Sequence, residues 1–598
     1  MSREREYTCL YNSAFFQFTG REEMKMNVVL VAINAKYIHS NLAVRSLRAY
    51  AKEYQDQIRI AEYTINQQTD EILMDLYKRK PELLCFSCYI WNIEYVEHLL
   101  RQFHQVCPDV PIWLGGPEVS YDAKEVLSRL PEVTGVMCGE GEQTFAELLE
   151  YYHGKKRELA DIKGITYRDC DGNIYANAWR SVMDMNDLPF VYQDMKEFEH
   201  RIIYYESSRG CPFSCSYCLS SVDKALRFRD VETVCKELQV FIDAEVPQVK
   251  FVDRTFNCDH KHAMAIWRYL LEHDRGKTNF HFEISADLLR DEELELLSRM
   301  RPGLVQFEIG VQSTNPHTIQ EIHRTMRFDK VAERVAKIKS FGNIHQHLDL
   351  IAGLPGEDLV SFARSFDEVY HIEPDQLQLG FLKVLKGSYM EEHKEEYGLV
   401  YRARPPYEVL YTKWLSFEDM TCLKQVEEMV EIYYNSDQFT YTLKRLVEAY
   451  DSPFQFYRQL GSYYERHQLH MCSHSRVSRY DILLDFICEY HLEEKELYVQ
   501  LLTLDYFLRE NGKNRPAFAG EDRVDKELAR YFYEKESDAP EYLVGYGAYD
   551  KRQLRKMTHL ESFTYDVMGN CEPLEQTLLF DYQNRDILTY QARVFRIQ

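Results

Sequence analysis

The sequence predicts an α/β protein in three successive parts: a doubly wound, flavodoxin- or Rossmann-like domain, a partial (β/α)6 barrel, and a mainly helical C-terminal domain. Three observations predict it. Apolar strand-like runs alternate with amphipathic stretches from residue 26 to about 155, a second such series spans 201 to about 395, and helical periods rich in Tyr, Leu and Glu take over from 396 to 598. Alternation of this kind marks a parallel sheet with helices on its faces. At roughly 100–200 residues per domain, a chain of 598 residues is several domains. Its 45% apolar and 28% charged residues exclude a disordered or low-complexity chain.

The elements follow in order. Residues 1–25 are polar and aromatic-rich with no clear period, and read as an N-terminal tail. Strands are expected at 28–33, 58–63, 83–89, 112–115 and 133–138, with ten to fifteen amphipathic residues between them. Residues 156–200 read as a connector: a hairpin turning at Asp171-Gly172, packed between two domains. Six further strands are expected at 202–206, 248–252, 279–285, 304–309, 345–351 and 376–382, as a parallel partial barrel requires. Beyond 395, helical periods occupy 417–433, 439–450 and 480–490, and strand character returns at 578–582 and 594–597.

Ninety-six acidic against 72 basic residues give a formal charge of −24, a field that repels phosphate backbones. Nucleic acid is therefore a disfavoured partner, and the short basic run Lys551–Lys556 reads as a solvated helix face. No apolar run approaches the ~20 residues of a membrane span, and the first residues lack the apolar stretch of a signal peptide. A cytoplasmic protein without a membrane partner is expected. Its fifteen cysteines then read as metal ligands, nucleophiles or buried small residues rather than a disulfide framework.

Cys211, Cys215 and Cys218 stand at C-x3-C-x2-C spacing just after the first strand of the second series. Three thiols on one loop make a soft metal site. Structural zinc takes four protein ligands, whereas a [4Fe–4S] cluster on three cysteines keeps one iron open. From spacing alone, three buried small residues or a zinc turn with a remote fourth ligand stay open. Downstream, Asp253, Ser285-Ala286-Asp287, the run Phe307 to Ser313 and the run Asp349 to Glu357 fall at or near C-terminal strand ends, where β/α folds place ligand groups. Over about residues 200–385 these motifs, in this order, resemble the radical S-adenosylmethionine (SAM) superfamily. The resemblance implies a [4Fe–4S] cluster on the three cysteines and reductive cleavage of SAM to a 5′-deoxyadenosyl radical. It also implies Tyr217 beside the adenine, Glu308 and Gln312 against the ribose and methionine portions, and Gly353 to Pro355 (Gly353, Pro355) against the adenine.

In the first domain, Ser87 ends the third strand, Gly115-Gly116 the fourth, and Gly139-Glu140-Gly141-Glu142 follows the fifth. Glycine at a strand end lets a flat ligand approach the backbone. These loops, and the domain order, resemble the cobalamin-binding domain of the cobalamin-dependent radical SAM branch, which implies Ser87, Gly115, Gly116, Gly139 and Gly141 as cobalamin contacts. The D-x-H-x-x-G motif of cobalt-ligating histidines is not satisfied: around His39, Tyr37 replaces the Asp and Leu42 the Gly. Cobalamin bound without His39 as a lower ligand is the expectation. Cys85, Cys88 and Cys138 read as packing residues.

Together the resemblances imply a cobalamin-dependent radical SAM enzyme, a methyltransferase acting on an unactivated carbon of a small-molecule or peptide substrate. Its cofactors would be a [4Fe–4S] cluster, SAM and cobalamin, and its partner a low-potential electron donor such as flavodoxin or ferredoxin. Cyclisation or rearrangement without net methylation is the alternative, and an RNA-modifying iron–sulfur protein the third possibility. The C-terminal region resembles an uncharacterised helical extension of one subgroup. No single residue presents itself as the catalytic acid or base.

Overall fold

The computed structural model describes residues 25–155, 158–222, 224–512, 515–547 and 549–597. The tail expected over 1–25 lies, except for its last residue, outside the described residues. The first sheet is built on β1 (Val28–Asn34), buried along its whole length. The two-residue period of the strand divides it: Val29, Val31 and Ile33 enter one core, and Val28, Leu30 and Ala32 the other. A strand with both faces covered by helices needs this continuous apolar run rather than an alternating one. With β2 (Ile58–Thr64), β3 (Leu83–Ser87), β4 (Ile112–Gly115) and β5 (Gly135–Met137) it forms parallel pairs in the order β2-β1-β3-β4-β5.

The expected hairpin is present as β6 (Ile165–Arg168) and β7 (Ile174–Ala176), but its place differs from the expectation. It extends the first sheet antiparallel beyond β5, instead of packing between two domains. The physical reason is the edge of β5, whose backbone groups would otherwise stay unpaired. The remainder of the connector, through Trp179 and Leu188 to Tyr192, does reach the space between the domains.

The second sheet opens with β8 (Ile203–Tyr205). A two-stranded ribbon, β9 (Ser208–Arg209) with β10 (Arg227–Phe228), stands at its end. It continues through β11 (Gln248–Phe251), β12 (Asn279–Ile284), β13 (Val305–Gln312), β14 (His345–Ala352) and β15 (Gln376–Phe381), six strands in the order β15-β14-β13-β12-β11-β8, every neighbour parallel. Unlike β1, β13 alternates: Val305, Phe307, Ile309 and Val311 are buried in the core, while Gln306, Glu308, Gly310 and Gln312 are half-buried. The inner face of the barrel is therefore polar.

The C-terminal region is helical from Phe417–Met429 to Lys495–Arg509 and ends in an antiparallel sheet of β18 (Thr558–Tyr565), β19 (Pro573–Arg585) and β20 (Ala592–Ile597); a short ribbon, β16 (Val400–Tyr401) with β17 (Val409–Tyr411), precedes the helices. Strand β18 is not evident from the sequence, because Thr558–Tyr565 mixes polar and apolar residues directly after a charged helix. Barrel and helical region share one hydrophobic core, with Phe366 edge-on to Phe454 and Tyr457. Among the described residues no helix is long and apolar enough to cross a membrane.

Candidate active site

The cysteine loop starts from a fixed point. At the end of β11, Asp253 is fully buried and accepts hydrogen bonds from the Ser207 amide (3.0 Å), the Ser207 hydroxyl (2.7 Å) and the Ser208 hydroxyl (2.5 Å). Burial pushes its carboxyl up to about 6, against those three bonds, which favour the charged form. Beyond it Cys211 and Cys215 are buried and Cys218 half-buried. Burial, and then the nearby Cys218 and Cys215, raise the Cys211 thiol, while the Phe213 amide and Thr255 hydroxyl work the other way. Among the described residues no three His, Cys, Asp or Glu side chains converge to hold one metal ion. A cubane takes each thiolate on a different iron, so three cysteines on one loop can hold it without meeting at a single point.

Two outside elements hold this loop. Ser216 donates its amide to the Ile322 carbonyl (3.0 Å) and accepts from the Met390 amide (3.1 Å). Arg324 reaches over it: Nη1 lies 3.7 Å from Cys215 Sγ and 3.3 Å from Tyr217 Oη, Nη2 donates to the Gly310 carbonyl (2.5 Å), and Nε is buried without a partner. Across the inner face, Glu308 is held through one oxygen, Oε2, by Lys250 (2.9 Å) and His281 (3.1 Å). Burial alone would raise its carboxyl; the His281 bond and the Lys250 charge hold it at about 2. Gln312 ends β13 with φ of 73° and a buried Oε1 that has no partner. Gly353, φ 92°, turns the chain after β14, and the side a Cβ would occupy faces Leu382, Val409 and Met420. Pro355 is buried in the same turn. These unpaired donors and acceptors fit a ligand that carries a carboxylate, hydroxyls and an amine, as SAM does.

A cavity of about 1150 Å³ lies between the first domain and the barrel, larger than the usual ~300–1,000 Å³ of a site for a drug-sized ligand. Ser87, Gly115, Gly116, Gly139 and Gly141 all line it. The barrel side contributes Tyr204 to Glu206, Ser208 to Gly210, and Arg254. The three cysteines, Tyr217, Glu308, Gln312, Gly353 and Pro355 do not line it; the barrel places them apart from the glycine loops. Trp91, Tyr121 and Trp179 line it with rings 45%, 37% and 55% exposed, and Trp91 stacks on Tyr89 at 4.3 Å. Exposed aromatic faces beside glycine loops suit a large flat ligand. Cys85, Cys88 and Cys138 are buried, their thiols raised by burial, and belong to the cores.

Two ties across the domains escape sequence reasoning. Arg209, next to the cysteine loop, pairs with Glu142 (3.0 Å), Glu206 (2.7 Å) and Glu140 (3.4 Å), and Arg227 pairs with Glu140 (2.8 Å). The glutamates of the Gly-Glu-Gly-Glu loop thus bind the cluster loop's flank. On the far side Tyr407 donates to Glu118, and Lys386 pairs with Glu118 (3.2 Å) and Asp122 (2.9 Å). The Gly-Glu-Gly-Glu motif is visible in the sequence, but not which partner each of its charges takes.

Comparison with known proteins fits this division. Family models match residues 28–149 (B12 binding domain), 205–369 (radical SAM superfamily) and 395–580 (a protein family of unknown function, DUF4080). The chain is similar to an uncharacterized methyltransferase of Pyrococcus horikoshii, 26% identical over 44% of this chain and 59% of the relative. It is also similar to the anaerobic magnesium-protoporphyrin IX monomethyl ester cyclase of Rubrivivax gelatinosus, 24% identical over 56% of this chain and 61% of the relative. The matches span about three-fifths of the length of these curated relatives. In fold it is similar to the cobalamin-dependent S-adenosylmethionine radical enzyme OxsB with aqua-cobalamin and S-adenosylmethionine bound, with a TM-score of 0.56 at 16% identity over 83% of each chain. The chain therefore carries a B12-binding domain followed by a radical SAM domain, in the fold of a neighbour that binds aqua-cobalamin and S-adenosylmethionine.

Proposed function

We propose that this chain is a radical SAM methyltransferase that uses cobalamin to methylate an unactivated carbon of a small-molecule or peptide substrate. One observation supports the proposal: the Arg209–Glu142 and Arg227–Glu140 pairs tie the cysteine loop's flank to the Gly139–Gly141 loop, and Arg209 and Gly210, just before Cys211, line the cavity that the glycine loops rim. Bound there, the cofactors would supply reductive SAM cleavage and a methyl carrier. Cys211, Cys215 and Cys218 would hold the cluster, and the buried Asp253 keeps their loop in place through Ser207 and Ser208. Arg324 would pair with the SAM carboxylate beside Cys215, Gln312 Oε1 would accept from its amine, and Glu308 would offer Oε1 to a ribose hydroxyl. Tyr217, Gly353 and Pro355 would bound the adenine. Ser87, Gly115, Gly116, Gly139 and Gly141 would contact the corrinoid, and the chamber between the domains would keep water from the reacting carbon. A low-potential flavodoxin or ferredoxin would deliver the electron, in a cytoplasmic setting.

Similarity to a ring-forming cyclase favours a second reading, cobalamin-assisted cyclisation or rearrangement without net methylation. Anaerobic turnover with reductant, cobalamin and methyl-labelled SAM separates the two. Methyl transfer yields both 5′-deoxyadenosine and S-adenosylhomocysteine, and the variant with Cys211, Cys215 and Cys218 replaced by Ala retains cobalamin while losing 5′-deoxyadenosine. Formation of 5′-deoxyadenosine with no S-adenosylhomocysteine refutes methyl transfer.

A further inference from the structure

Charges on the wall of the large cavity are matched almost completely. Its carboxylates, Glu140, Glu142 and Glu206, all pair with Arg209. Among its other arginines, Arg180 pairs with Glu147 (2.6 Å) and Arg229 with Glu237 (2.8 Å). Arg254 is the exception. Its side chain is exposed on the cavity wall and, among the described residues, makes no hydrogen bond or ion pair. The chain has a surplus of acidic residues, with a net charge of −24, yet none of those described reaches this guanidinium.

Its neighbours along the chain fix its place. Asp253 on one side is the buried anchor of Ser207 and Ser208, and Thr255 on the other has its hydroxyl 4.0 Å from Cys211 Sγ. Arg254 therefore stands beside the cysteine loop and on the wall of the cavity that the glycine loops rim. Its charge acts at a distance on groups of both domains, Tyr89 after β3 and Glu283 on β12. Burial raises the Glu283 carboxyl to about 7, against the Arg254 charge, so Glu283 is only partly ionised at neutral pH and supplies no full counter-charge. A guanidinium in a partly enclosed cavity loses hydration without compensation unless an anion joins it. Its planar fork of N–H donors matches the oxygens of a carboxylate or phosphoryl group. The SAM carboxylate has a candidate elsewhere, Arg324 beside Cys215, and Gln312, Gly353 and Tyr217 do not line this cavity.

We propose that Arg254 binds an anionic group of the substrate, a carboxylate or a phosphoryl group, and so selects which molecules the chamber accepts. The assignment rests on the reading of this cavity as the chamber where substrate meets both cofactors. One charged group on a wall that is otherwise aromatic, glycine-rich or already paired is enough to orient a ligand there.

The test uses full-length protein carrying its cluster and cobalamin, supplied anaerobically with SAM and reductant. Small molecules and short peptides from cells that express this chain are separated by ion exchange into anionic, neutral and cationic pools. Each pool is assayed for 5′-deoxyadenosine formed above the uncoupled rate. The anionic pool should stimulate, and Arg254→Met should need roughly 10- to 150-fold more of it for half-maximal stimulation, as loss of a hydrogen bond between charged groups implies. Phosphatase treatment of that pool tells a phosphoryl group, which is removed, from a carboxylate, which persists. SAM affinity, read by EPR titration of the reduced cluster, and cobalamin retention should match wild type in the variant. A wild-type enzyme that cleaves SAM but answers only to the neutral or cationic pool, or to none, overturns the inference, as does an unchanged response of Arg254→Met. Weakened SAM binding in the variant assigns Arg254 to the SAM carboxylate and lost cobalamin assigns it to the corrinoid; either result overturns the inference too. Absence of any SAM cleavage by the wild-type protein overturns the underlying reading instead.

Discussion

Two adjacent glycines, Gly115 and Gly116, separate what a loop does for its own fold from what it does for a ligand. Gly116 has φ of 116° and ψ of 171°, a region open essentially to glycine alone. A Cβ there would overlap the Cys88 carbonyl oxygen and stand 3.1 Å from the Cys88 nitrogen, both backbone atoms that cannot swing away. Strain of ~1–3 kcal/mol and overpacking of ~1–3 kcal/mol give Gly116→Ala a cost of about 2–6 kcal/mol. Against a net stability of ~5–15 kcal/mol that is a large fraction. Gly115, the last residue of β4, differs: its Cβ would meet only Met137, at 3.6–3.8 Å. Gly115→Ala should leave stability within about 1 kcal/mol. A methyl group added at this cavity-lining position, where we propose that the corrinoid sits, should at ~1–3 kcal/mol still raise the cobalamin Kd roughly 5- to 150-fold. Urea unfolding followed by tryptophan fluorescence reports the first quantity, and absorbance titration with hydroxocobalamin the second. A Gly115→Ala protein that binds cobalamin as tightly as wild type refutes the assignment of this loop to the ligand, and a Gly116→Ala protein of undiminished stability refutes the steric argument.

Replacing Arg324 by Met removes the guanidinium beside Cys215 and should weaken SAM binding roughly 10- to 150-fold, the equivalent of ~1.5–3 kcal/mol for a hydrogen bond to a charged group; titrating the EPR signal of the reduced cluster with SAM measures it, and an unchanged affinity removes Arg324 from the site. Glu357, fully buried, accepts from the Ser313 and Ser365 hydroxyls and so joins the ends of β13 and β14; burial pushes its carboxyl up to about 7 despite those bonds. Because the folded pKa lies above the unfolded value of ~4.3, its stabilising contribution is complete below that pH and is lost as pH rises through about 7. Glu357→Gln should accordingly flatten the fall in unfolding free energy between roughly pH 4.5 and 7.5, by no more than ~4 kcal/mol; identical pH slopes in the two proteins would sink the argument.

Features that depend on neighbours along the chain are legible in the sequence. The five parallel strands of the first sheet and the six of the barrel fall where hydrophobic periodicity expects them, because each strand's face pattern is local. The three cysteines lie within eight residues of one another, so their spacing alone limits the metal chemistry they can support. Ser87 and the four strand-end glycines stand out in the sequence for the same reason, and the structure brings all five to the wall of one cavity. Where a residue's role depends on a distant partner, only the tertiary structure decides it. His39 meets Tyr204 across 165 positions, Arg209 meets Glu142 across 67, and Tyr407 meets Glu118 across 289. An arginine in a motif carries no mark of which glutamate it will pair with, and a tyrosine hydroxyl can accept from any donor brought near it. The hairpin of β6 and β7 has a recognisable turn, yet its attachment to β5 is set by an open sheet edge that no local pattern encodes. Local chemistry therefore names the candidate groups, and packing between domains selects the partners that orient them.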